Sequence, residues 1–118
     1  MFLEVKKLKK SFGQGENSVE VLKEIDFNVA KGEICVMLGP SGSGKSTLLN
    51  IIGGIDNGDE GYVAINGEKT LNMSEGELTN YRRKHLGYIF QMYNLIPNLN
   101  IRENVELASQ ICKILFLI

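Results

Sequence analysis

The stretch Gly39-Pro40-Ser41-Gly42-Ser43-Gly44-Lys45-Ser46-Thr47 constrains this chain more than any other. It fits G-x-x-x-x-G-K-[ST], a phosphate-binding loop set between a buried strand and a helix. Each residue type has a physical reason to be there. The glycines permit positive φ and let the backbone approach a ligand closely. Successive backbone N–H groups then point inward and form an anion nest. A helix starting near Lys45 aims its N-terminal dipole at the same anion. Lys45 adds a mobile full charge for the outer phosphates, and Ser46 offers a hydroxyl to Mg²⁺. Constrained positions of this kind coincide by chance in roughly one of a few hundred chains this long. The flanks agree with the motif: Ile34-Cys35-Val36-Met37-Leu38 reads as a fully buried parallel strand. Lys45 to Ile52, with Leu48, Leu49, Ile51 and Ile52, reads as a helix stopped at Gly53-Gly54.

The rest of the pattern is α/β. Phe2 to Val5 begins a strand. Val19 to Val29 alternates apolar and polar residues with a slip near Val21-Leu22, which predicts a half-buried strand, or two halves around a bulge. The turn before it is Gly13 to Asn17. Tyr62 to Ile65 is a further strand, ended by the turn signal Asn66-Gly67. Ser74 to Lys84 predicts a helix with a capping box, in which Glu77 reaches back to Ser74. Leu86 to Phe90 reads as another buried strand, and Ile101 to about Ile111 as a last helix. No internal repeat or linker divides the chain.

Charge and composition exclude some functions. The 13 Lys+Arg and 14 Asp+Glu leave a formal net charge of −1, which argues against a general nucleic-acid binder. The basic residues Lys6, Lys7, Lys9 and Lys10 lack interleaved aromatics and read as a solvated strand face. No apolar run approaches the ~18–20 residues that a membrane span needs. Cys35 and Cys112 make no disulfide framework and read as reduced packing residues of a cytosolic protein.

Two strand-like stretches and an aromatic, Phe12, precede the phosphate loop, and Lys31-Gly32-Glu33 leads into its strand. This layout resembles the nucleotide-binding subunit of ABC transporters. The resemblance runs from about residue 2 to 112. It implies an α/β P-loop NTPase core with an incomplete parallel sheet, preceded by an antiparallel β subdomain. It implies that residues 1–118 are the N-terminal part of one ATP-binding domain, ending after the Q-loop region. Phe12 stands where the family stacks an aromatic, usually Tyr, on adenine. Tyr88-Ile89-Phe90-Gln91-Met92-Tyr93-Asn94-Leu95-Ile96-Pro97 resembles the Q-loop. There Gln91 would ligate Mg²⁺ or hold the attacking water. The family binds ATP with Mg²⁺, through residues matching 39–47 here. Tyr81 to Gly87, Arg102 to Leu107 and the stretch from Gly15 to Lys23 are similar to the lipoprotein-release, macrolide-export and peptide-export group. The resemblance therefore implies a head-to-tail homodimer on a transmembrane permease, at the inner face of the cell membrane, with no nucleic-acid partner. His85 does not match the family's switch histidine and is given no catalytic role.

Other family elements have no counterpart in this sequence. There is no Leu-Ser-Gly-Gly-Gln signature and no apolar run ending in Asp-Glu. Ile111 to Ile118 turns strongly apolar where the family continues with a polar helix. The expectation is a truncated or frameshifted product that binds nucleotide at best, with marginal stability and an exposed edge along Ile34 to Leu38. The competing readings are another small P-loop kinase or GTPase, and a remnant without stable activity.

Overall fold

The computed structural model describes residues 2–89 and 94–111. Four strands form one antiparallel sheet in the order β2-β1-β3-β4. They are β1 (Leu3–Phe12), β2 (Val19–Val29), β3 (Glu60–Ile65) and β4 (Glu68–Lys69). The helices are α1 (Lys45–Ile52), α2 (Glu75–His85) and α3 (Ile101–Ile111).

The slip read near Val21-Leu22 is a real irregularity: Lys10 pairs with Leu22 but Ser11 with Glu20, a register shift. A further shift lies nearer the start of β1. Val5 pairs with Phe27 and Leu8 with Ile25, with a register shift between them. Lys7 takes a positive φ of 46° there, and Glu24 one of 54° at the next shift, between Ile25 and Leu22. The Asp26 carboxylate accepts the Lys7 backbone N–H at 2.8 Å and so replaces a lost ladder bond. On the other side of β1 the same irregularity demands glycine. Gly61 has φ +77°, and a Cβ on it would lie 2.2 Å from the Lys7 carbonyl oxygen. Asn66 and Gly67, at φ 51° and 81°, make the two-residue turn between β3 and β4.

The core lies between this sheet and α1. Val5, Leu8, Leu22 and Val63 meet Leu48 and Ile51, and Leu3, Val21, Ile25, Phe27, Met37 and Ile52 pack around them. Burying a side chain of this size is worth about 1.5–3 kcal/mol. In α2 both halves of the capping box form: the Glu77 N–H donates to Ser74 Oγ at 3.2 Å, and the Ser74 N–H to Glu77 Oε1 at 3.4 Å. The helix buries Leu78 and Tyr81. Asn100 caps α3 in the same way, accepting from the Glu103 N–H at 2.8 Å.

Two strands expected from sequence are not laddered. Residues 34–38 pair with no strand among the described residues. Ile34, Val36 and Leu38 are 90%, 72% and 88% exposed, whereas Met37 packs on the core. Residues 86–89 carry no ladder either, and Ile89 is exposed. The reason is common to both. A buried parallel strand is an arrangement of several segments, and an apolar run cannot form it without a neighbour to bond. Cys35 is free and exposed rather than a packing residue. Phe90, Gln91, Cys112 and the rest of the apolar tail fall outside the described residues.

Candidate nucleotide-binding site

Residues 39–44 run from the unladdered stretch 34–38 into α1. Gly42 and Gly44 hold left-handed φ of 79° and 78°. The Ser43 N–H donates to the Pro40 carbonyl at 3.2 Å and closes the turn. Gly44 is the N-cap of α1, and no side chain caps the helix there. The first helical N–H groups have no intrahelical partner by construction. They are therefore available, with the positive end of the dipole, to an anion at the loop. Gly44 also seats the loop on the sheet. A Cβ at this position would fall 2.7 Å from Val21 Cγ1 and 3.0 Å from the Val21 carbonyl oxygen.

Lys45 folds back over the loop. Its ammonium donates to the carbonyl oxygen of Gly39 and, at 3.4 Å, to that of Pro40. The charge thus sits against the carbonyls that begin the turn made by residues 39–44. Ser46 is exposed in the first turn of α1, and Thr47 is half-buried behind it. These residues fit a Mg²⁺-bound polyphosphate: backbone donors and an ammonium for the phosphates, one hydroxyl for the metal. Among the described residues no three His, Cys, Asp or Glu side chains gather in a metal-binding group. Mg²⁺ commonly keeps several waters and shares substrate phosphates, so one hydroxyl is a sufficient protein ligand in kind.

Phe12 is 45% exposed at the end of β1, opposite Val19 in β2. It is not a core residue. Val19 is two positions from Val21, on which Gly44 rests, so ring and loop share one strand pair. Lys10 Nζ lies 5.2 Å from the Phe12 ring centroid and pairs with Asp56 at 3.6 Å and Asp59 at 3.7 Å. Lys9 pairs with Glu60 at 3.5 Å. Two lysines of the basic run are thereby matched locally. Gln91 is outside the described residues.

Sequence reasoning missed the side chains that bind the far end of α1 and the start of α3. The Tyr81 hydroxyl donates to the Ile52 carbonyl and Arg82 Nη1 to the Gly54 carbonyl, both at 2.8 Å. The Tyr88 hydroxyl donates to the Gly53 carbonyl. Burial pushes the Tyr81 hydroxyl well above its usual range and keeps it a donor. His85 Nε2 lies 2.8 Å from Glu68 Oε2. The His85 hydrogen bond, with Lys84 nearby, holds the Glu68 carboxyl below the usual carboxylate range. Near α3, Asn104 donates to the carbonyls of Leu99 and Asn100 and accepts the Ile96 N–H at 2.9 Å. Its only sequence signal was an Asn in the first turn of a helix, which was too weak to single out.

Two concave places among the described residues lie elsewhere. A cleft of about 250 Å³ runs between β3 and residues 70–73, and an apolar groove of about 360 Å³ is lined by Leu95, Ile96, Pro97, Leu99, Ile101 and Val105. The phosphate cradle is a surface loop, so its case rests on donors rather than on enclosure.

An antiparallel sheet feeding a phosphate loop at the head of a core helix defines a P-loop nucleotide-binding domain. Residues 22–117 match the ABC transporter family, and the chain belongs to it. It is 46% identical over 112 residues to the bacitracin export ATP-binding protein of Halalkalibacterium halodurans, covering 95% of this chain and 44% of that protein. It is 46% identical over 107 residues to a macrolide export ATP-binding/permease protein of Mannheimia succiniciproducens, covering 91% of this chain and 17% of that one. A solved ATP-binding cassette, a dimer in a post-hydrolysis state bound to ADP and Pi, superposes with a TM-score of 0.85 at 44% identity. That match covers 92% of this chain and 47% of the cassette. The chain thus spans less than half the length of each.

Proposed function

We propose that this chain binds Mg-ATP through residues 39–47, as the N-terminal part of the ATP-binding subunit of an ABC exporter. One observation carries the reading: the Lys45 ammonium, held over the Gly39 and Pro40 carbonyls, stands beside the uncapped N-terminus of α1. A nucleotide's outer phosphates would draw Lys45 off these carbonyls and take the amide donors of residues 42–46. Bound Mg²⁺ supplies charge neutralisation at those phosphates, with Ser46 as its protein ligand. Phe12 offers a face to the adenine, and such a stack is worth about 1–3 kcal/mol. Gln91 would complete the Mg²⁺ ligation or orient the attacking water.

Hydrolysis, pairing of two copies and work on a permease belong to the longer protein. The relatives named for bacitracin and macrolide export support an exporter, and the solved dimer supports pairing. The apolar groove along Leu95 to Val105 follows Gln91 in the chain and is the surface proposed to meet the membrane subunit, at the inner face of the membrane. Isothermal titration with Mg-ATP tests the nucleotide site. Saturable heat is expected from the native chain and none from Lys45→Ala with an unchanged circular dichroism spectrum. Equal affinity in the two would defeat the assignment.

A further inference from the structure

The C-terminal end of α1 is bound more completely than a helix of its length requires. Backbone N–H groups account for three of its last carbonyls: Gly53 donates to Leu49 at 2.9 Å, Ile55 to Asn50 at 2.9 Å and Gly54 to Ile51 at 3.1 Å. The next three carbonyls, of Ile52, Gly53 and Gly54, are each taken by a different side chain: Tyr81, Tyr88 and Arg82 in that order. Two donors come from α2 and one from the residues that follow it.

The contacts are close on both sides. A Cβ at Gly54 would lie 3.0 Å from Tyr81 Cδ1, and one at Gly53 would lie 2.8 Å from the Tyr88 hydroxyl. Arg82 is itself oriented, with Nη2 donating to Thr79 Oγ1 at 3.2 Å. Its guanidinium stands at the negative end of the α1 dipole, where a cation is favoured. The other end of the same eight-residue helix carries the phosphate loop. A helix this short, packed on the sheet by Leu48 and Ile51, moves as one body rather than bending.

We propose that Tyr81, Arg82 and Tyr88 are positioning residues for the nucleotide site, and that they make α1 a strut linking the phosphate loop to residues 86–89. Nucleotide binding and ordering of that segment are then coupled, and the coupling is reciprocal. The proposal rests on the nucleotide reading above.

Hydrogen exchange of the whole chain, with and without saturating Mg-ATP, tests it in Arg82→Met, Arg82→Lys and Tyr88→Phe. In the native chain Mg-ATP slows exchange in residues 39–50 and in residues 86–89. Arg82→Met keeps the first protection at saturation, loses the second and weakens affinity about fivefold or more. Arg82→Lys, which keeps a cation at the helix end, restores part of both. Should Arg82→Met not fold, Tyr88→Phe, at a partly exposed site, carries the same readout, with protection of 86–89 reduced. Protection of 39–50 together with an unresponsive 86–89 segment in the native chain, or with an identical response in the variants, overturns the strut and leaves nucleotide binding standing. Absence of protection at 39–50 in the native chain overturns nucleotide binding, and the strut with it.

Discussion

Residues 3–29 and residues 34–44 are both rich in apolar side chains, yet they end in opposite conditions. In the first region β1 finds a partner on each edge, β2 and β3, and Val5, Leu8 and Leu22 disappear into the core. In the second, Ile34, Val36 and Leu38 face solvent and carry no ladder among the described residues. The phosphate loop that follows is shaped all the same. The contrast separates two kinds of order. A strand depends on neighbours that bond its edges, and β1 has them close at hand along the chain. A phosphate loop depends on glycine φ values, one tight turn and the helix behind it, all within about ten residues.

The largest predicted effect probes the bonded region. Gly61→Ala places a methyl group against the Lys7 carbonyl and strains a positive φ, at a combined cost of about 3 kcal/mol or more. Circular dichroism is expected to show a largely unfolded chain, and a native-like melt would show that β1 and β3 can shift apart cheaply. Next is Phe12, which joins the two regions. Phe12→Ala should weaken Mg-ATP by about 1–3 kcal/mol and leave inorganic tripolyphosphate untouched. Equal loss for both ligands would mean that the ring supports the loop rather than the base. Val36→Lys should change stability by less than about 0.5 kcal/mol, because the position is already in water, while reducing aggregation measured by light scattering. A large loss of stability there would mean that the stretch is packed in solution.

The smallest effect is a pH dependence at Glu68. Its carboxyl is held below the ordinary range, chiefly by the His85 hydrogen bond. The folded state therefore gains from Glu68 above the unfolded carboxylate pKa and loses that gain as pH falls through the lower folded value. The melting temperature of the native chain should exceed that of Glu68→Gln slightly near neutrality, and the gap should close in acid. A gap that widens in acid would contradict the assignment.

Legibility from sequence followed the same division. The phosphate loop, α1 from Lys45 to Ile52 and the α2 capping box were readable because each is set by residues a few positions apart. The β2 bulge showed itself as a broken alternation around Val21 and Leu22. Residues 34–38 and 86–89 were read as buried strands because their composition suits one, but composition does not supply the neighbour. The carbonyl clamp on α1 was invisible for a related reason. Tyr81 reads as one more apolar helix position and Arg82 as one more surface charge until the fold brings the Ile52 and Gly54 carbonyls beneath them.

The central claim is that the loop from Gly39 to Thr47 grips a polyphosphate even where the stretch before it has no bonded neighbour among the described residues. Equilibrium dialysis of the soluble monomer against labelled Mg-ATP measures this directly. Saturable retention that excess tripolyphosphate displaces is the predicted result. No retention at millimolar nucleotide by a folded sample would contradict it.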